Sequence, residues 1–124
     1  MAGETERIVE ALSMDRLQVV LERLSHEAEL DQDQRHAFVR WATMVGQQIL
    51  QPPTAGLSGL RERLEAVRRE FRAVHAGVAA GWLARGHIDE TLVCRRAFLG
   101  YLIDRLEPHV GTQPTVGRLI KAAA

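Results

Sequence analysis

The sequence predicts an all-α fold, an antiparallel bundle of four main helices plus short terminal helices, in a single helical domain of residues 1–124. The first observation is an apolar ladder whose steps alternate between three and four residues: Leu57, Leu60, Leu64, Val67, Phe71, Val74 and Val78. This spacing keeps the side chains on one stripe of an α-helix, whereas a β-strand would repeat every two residues. The second observation is that short connections join the helical segments and that no linker rich in proline, glycine or serine divides the chain.

Two helices are predicted before residue 31, the first over about residues 5–12. Ser13 follows at the N-cap position of the second, because a serine oxygen can accept hydrogen bonds from the free amides of the next turn. Leu12 and Leu17 flank this cap as a hydrophobic staple. The second helix continues to about residue 30, and its apolar stripe consists of Leu17, Val20, Leu21, Leu24 and Ala28.

The third helix opens with a capping-box pattern formed by Asp31 and Gln34. Its apolar stripe consists of Phe38, Trp41, Ala42, Val45 and Ile49. The pair Pro52 and Pro53 ends this helix, because proline lacks an amide hydrogen and restricts the residue before it. The fourth helix, predicted over residues 58–85, carries the ladder and is about 40 Å long at 1.5 Å per residue.

The second half of the fourth helix is uncharged and rich in small residues, among them Gly77 and Gly81. Each internal glycine costs about 1 kcal/mol of helix propensity relative to alanine. Close approach of a neighbouring helix of the same chain would offset this cost. The alternative is that the small residues form a surface for self-association. Gly86 is expected to end this helix, and Asp89 is expected to cap the next.

The fifth helix, predicted to about residue 107, is apolar over much of its circumference. A helix that is apolar on most sides is buried on most sides. It is therefore either the central helix or a helix that also faces a second subunit. A further short helix is expected over residues 115–122.

Composition and charge exclude several classes of protein. A single cysteine, Cys94, rules out an intrachain disulfide and a multi-cysteine zinc site. Neither a signal peptide nor a membrane span is recognisable, and we expect a cytoplasmic protein.

The net charge is zero, but nine acids and three bases up to residue 33 give −6, and seven acids and thirteen bases after it give +6. This asymmetry favours packing of the acidic part against the basic part, within one chain or between two.

The sequence predicts neither catalytic nor metal-binding nor cofactor-binding residues, and we expect a protein that is not an enzyme. The histidines do not share the spacing that places two imidazoles on one helix face; they are His26, His36, His75, His87 and His109. Paired-carboxylate motifs, glycine-rich phosphate loops and nucleophile elbows are also missing from the sequence. The favoured function is a non-catalytic protein–protein interaction module, such as an adaptor, regulatory or chaperone-like subunit.

We expect this module to bind a protein partner and to form a homodimer, with the interface near Val78, Trp82, Phe98 and Tyr101. One alternative is a nucleic-acid-associated protein that contacts a polyanion through Arg61, Arg68, Arg69 and Arg72. Against it, Glu65 lies four residues from both Arg61 and Arg69 and can pair with them. A second alternative is a small-ligand sensor with a pocket inside the bundle.

Overall fold

The computed structural model describes residues 3–52 and 54–110, which form five helices arranged in a bundle. The helices are α1 (Glu4–Ala11), α2 (Met14–Glu27), α3 (Gln32–Gln48), α4 (Gly56–Arg85) and α5 (Glu90–Val110). The all-α prediction is confirmed. The short helix predicted over residues 115–122 lies outside the described residues.

α5 is the central helix of the bundle. It packs along α4 and also contacts both α2 and α3. The ring of Phe98 is fully buried and meets the rings of Phe38 and Trp41 edge-on, with centroid distances of 6.3 and 5.9 Å. This position explains why α5 is apolar over so much of its circumference, since three other helices contact it.

The ladder of α4 faces the core, as its spacing predicts. Its buried members are Leu60, Leu64, Val67, Val74 and Val78. Phe71 is half-buried, with its ring 3.8 Å from where a Cβ of Gly100 would be. Leu57 is 46% exposed, because it lies in the first turn of α4 at the end of the bundle. The ladder is therefore buried along most of its length, and only its first residue lies at the surface.

The predicted caps are present with one difference. The Asp31 carboxylate accepts a hydrogen bond from the Gln34 amide at 2.8 Å, and the Gln34 side chain accepts one from the Asp31 amide at 3.0 Å. Asp89 Oδ1 accepts from the Thr91 amide at 2.9 Å, which caps α5. Ser13 is at the N-cap position of α2, but its hydroxyl makes no capping hydrogen bond.

Two helix ends differ from the prediction. α2 ends at Glu27 because Glu29 adopts a left-handed conformation, with φ of 53°, and the Leu30 amide then bonds back to the Ser25 carbonyl at 3.1 Å. This is the hydrogen bond of a Schellman motif, which turns Leu30 into the core. α5 continues through Pro108 to Val110, where proline removes a single backbone donor in the last turn.

Gly77 faces the beginning of α5, and Gly81 faces the connection before it. A Cβ at Gly77 would lie 3.5 Å from Leu92 Cδ1, and one at Gly81 would lie 3.5 Å from the His87 carbonyl oxygen. Both distances are ordinary van der Waals contacts, so the packing leaves room for an alanine at either position.

Candidate functional site

The end of the α4–α5 hairpin, residues 79–91, is the part of the described chain that combines large apolar side chains with high exposure. We call this segment the hairpin tip. It contains no buried residue. Nevertheless Trp82, Leu83 and Ile88 lie in it, with exposed fractions of 56%, 84% and 42%. The other large apolar side chains that are exposed in the described residues are scattered on different helices: Val19, Met44 and Leu57.

The tip is continuous with a second stripe on α4, opposite the ladder. Lysine, arginine, aspartate and glutamate are all missing from the sequence between Arg72 and Arg85, so this half of α4 has no charged side on which to meet water. Its outward stripe has steps of three, four and three, and every member is exposed: Ala73, Ala76, Ala80 and Leu83. We call this stripe the outer face of α4. A helix that is apolar on all sides is normally covered on all sides.

Three side chains provide the exposed apolar surface of the tip. Trp82, Leu83 and Ile88 together expose roughly 300–400 Å², judged from their exposed fractions and the usual areas of such side chains. The largest contiguous apolar patch on a typical monomer covers about 300–600 Å² and is often functional. Tryptophan is also the residue type most enriched among the residues that dominate binding energy at interfaces.

Charged groups of both signs surround the apolar residues of the tip. Arg85 ends α4, and Asp89 and Glu90 begin α5. Among the described residues, the ion pairs involve other side chains, and none of these three groups has an oppositely charged atom within 4.0 Å. The tip therefore contains both exposed apolar side chains and exposed charged side chains, as many protein interfaces do.

The four residues predicted to lie near an interface occupy different environments. Val78 and Phe98 face the core, with exposed fractions of 9% and 0%. Tyr101 is half-buried, and Arg105 covers its ring, with the guanidinium carbon 5.2 Å from the centroid. Trp82 is the member at the open surface of the tip.

Sequence reasoning missed Leu83 and Ile88. Leu83 lies outside the ladder, and Ile88 lies in the connection before the cap of α5, where 42% of its surface is exposed. The sequence feature that indicates Leu83 is the absence of lysine, arginine, aspartate and glutamate between Arg72 and Arg85, on the side of α4 opposite the ladder.

Of the four arginines predicted to contact a polyanion, Arg68 is paired with carboxylates. Arg68 Nη2 lies 2.6 Å from Glu107 Oε2, and its Nη1 lies 3.3 Å from Glu65 Oε1. The hydrogen bond with Glu107 is the main reason that the pKa of Arg68 is raised. Arg61 is half-buried, and Arg69 and Arg72 are exposed. The carboxylates of Glu65 and Glu107 therefore balance the positive charge of Arg68.

Arg63, which belonged to no predicted site, is 6% exposed and has a structural position. Its Nε donates to the Leu50 carbonyl oxygen at 2.9 Å, which ties α4 to the second residue after the end of α3. Burial lowers the pKa of its guanidinium. The contact gives a hydrogen-bond partner to a carbonyl of the connection between α3 and α4.

The other side chains that could take part in catalysis or metal binding are buried or dispersed. Cys94 Sγ lies 3.6 Å from the Leu24 carbonyl oxygen, and burial raises the pKa of its thiol, which disfavours the nucleophilic thiolate. Within residues 3–52 and 54–110, histidine, cysteine, aspartate and glutamate side chains do not gather into a group of three that could hold a metal ion. In the same residues no helix is long and apolar enough to cross a membrane.

Neither a protein-family model, nor a curated protein, nor a solved structure matches this chain. The interpretation of the hairpin tip therefore depends on its own geometry.

Proposed function

We propose that this protein is a non-catalytic protein–protein interaction module that binds through the hairpin tip and the adjoining outer face of α4. The observation that carries the proposal is the grouping of Trp82, Leu83 and Ile88, all exposed, in a segment without a buried residue. A homodimer, and a regulatory or chaperone-like role in the cytoplasm, belong to the same proposal.

The mechanism is removal of apolar surface from water at a preformed site. Trp82 and Leu83 lie on a continuous helix of 30 residues, so their backbone is already ordered before a partner binds. Preorganisation of this kind reduces the entropy lost on association. Charged groups at the rim, Arg85 and Glu90 among them, would fix the orientation of the partner and contribute to its selection.

The proposal is tested by photo-crosslinking in the native host. A photoreactive phenylalanine analogue is placed at Leu83, which is 84% exposed, and in a matched control at Val19, which is an apolar residue 69% exposed on α2. We expect crosslinked species from position 83 and few from position 19. Equal yields at the two positions, or crosslinks from position 19 alone, would contradict the proposal.

A further inference from the structure

A cleft of about 480 Å³ lies between the beginning of α1 and the connection from α3 to α4. The residues that line it include Thr5, Val9, Ala55, Gly56 and the side chain of Arg63. Pockets that bind small molecules usually enclose about 300–1,000 Å³, so the cleft is large enough for a small ligand. It lies at the opposite end of α4 from the hairpin tip, roughly 35 Å away at 1.5 Å per residue.

Arg63 contributes a buried positive charge to the wall of this cleft. Its side chain is 6% exposed, and a guanidinium keeps its proton throughout the range of pH in which proteins are folded. All sixteen aspartates and glutamates of the chain lie within the described residues, and none has a carboxylate oxygen within 4.0 Å of Arg63. Because buried charges in proteins are normally paired, the chain's own acidic side chains leave the charge of Arg63 uncompensated.

The guanidinium of Arg63 also has donors available for an anion. Its Nε donates to the Leu50 carbonyl oxygen, and Nη1 and Nη2 make no hydrogen bond to another described residue. Nη1 lies 3.1 Å from where a Cβ of Gly59 would be, which places it beside the first turn of α4. A carboxylate can accept two parallel hydrogen bonds from the donors of one guanidinium.

The beginning of α4 is a second source of positive potential at the cleft. The first amides of a helix have no acceptor within the helix, and they carry partial positive charge. The N-cap of α4 is Ala55, which has no capping side chain, and the first turn contains no acidic residue. The buried guanidinium and these uncapped amides therefore border one cleft, where both stabilise a bound oxyanion.

We infer that this cleft binds a small organic acid through a single carboxylate, which pairs with Arg63 and with the first amides of α4. Glu6 is exposed and also lines the cleft. Its negative charge disfavours a doubly charged group such as phosphate, whereas one guanidinium balances one carboxylate. Val9, Pro52 and Ala55 provide apolar contacts for the rest of the molecule. This site is separate from the hairpin tip and does not rest on the proposed function.

Nuclear magnetic resonance of the full chain, labelled with nitrogen-15 and titrated with sodium benzoate at constant ionic strength, tests the site. We expect saturable shifts of the Arg63 Nε–H signal and of the backbone amides of residues 56–58. Benzamide is the matched neutral control and should produce no saturable shift, and inorganic phosphate should bind more weakly than benzoate. The inference is overturned if benzoate does not saturate these signals, if benzamide binds equally well, or if phosphate binds more tightly.

Two exposed glutamates of α1 provide a matched pair of variants. Glu6→Gln removes a negative charge from the cleft and should strengthen benzoate binding about two- to fivefold. Glu10→Gln changes the same residue type about one turn later, outside the lining of the cleft, and should leave the affinity unchanged. Equal affinities of the two variants would contradict the proposed position of the carboxylate.

Arg63→Met tests the residue that pairs with the ligand. We expect the variant to lose saturable benzoate binding, because it removes the only buried charge that lines the cleft among the described residues. Circular dichroism establishes whether the variant is folded, and benzoate binding of unchanged affinity by the folded variant overturns the inference. If the variant does not fold, the comparison of Glu6→Gln with Glu10→Gln decides the question in the intact protein.

Discussion

Replacement of Leu64 by alanine measures how much the ladder of α4 contributes to stability. Leu64 is 1% exposed and belongs to the hydrophobic core that α4 shares with the other helices. The substitution removes three buried carbon atoms, which account for about 2 kcal/mol at roughly 0.8 kcal/mol each. The cavity left behind adds to this loss, so the total destabilisation should be about 2–5 kcal/mol.

Leu57→Ala is the matched control, because it changes the same residue type on the same stripe of the same helix. Leu57 is 46% exposed, so about half of the transfer free energy is lost and the space opens to water. We expect a destabilisation of about 1 kcal/mol or less.

Urea unfolding followed by far-ultraviolet circular dichroism gives both values. The wild type and the two variants are compared at one protein concentration, since self-association would add to the apparent stability. The dependence of the unfolding free energy on urea should be the same for all three proteins, which shows that the midpoint shift reports stability. Equal effects of the two substitutions would refute the assignment of the ladder to the core.

Three further predictions follow from caps, close contacts and the buried thiol. Asp31→Ala should lower the unfolding free energy by about 1 kcal/mol, because it removes a capping hydrogen bond, whereas Ser13→Ala should change it much less, because that hydroxyl makes none; urea midpoints of the two variants decide this. Gly59→Ala should destabilise the protein, because a Cβ there would overlap a backbone carbonyl of the connection before α4. Gly77→Ala should be neutral or stabilising by up to about 1 kcal/mol, because its nearest neighbour is 3.5 Å away, and equal thermal midpoints for both alanines would contradict this explanation. Burial raises the pKa of Cys94, so the folded state retains the thiol proton to higher pH than the unfolded state. The unfolding free energy should therefore fall as the pH rises above about 8.5, and Cys94→Ala should reduce this fall; an identical pH dependence in both proteins would refute the burial argument.

The sequence by itself determined the features that depend on residues within about one helical turn of each other. The alternating steps of three and four placed Leu64 and Val67 on one side of a helix before any partner was known. The capping box of Asp31 and Gln34 is equally local, since its two hydrogen bonds join residues three positions apart. The apolar circumference of α5 also indicated that several neighbours cover it, but the sequence left open whether one of them is a second subunit.

The tertiary structure decided which helices, if any, pack against each apolar stripe. Phe98 and Trp82 both belong to apolar patterns, but one is fully buried and the other is 56% exposed, because α2 and α3 cover the first and not the second. The partner of Arg68 is Glu107, 39 residues away, which no local spacing indicates. Leu83 became part of a candidate site because none of the described helices packs on the outer face of α4. Burial and long-range pairing depend on where whole helices end and cross, and that information is distributed over the entire chain.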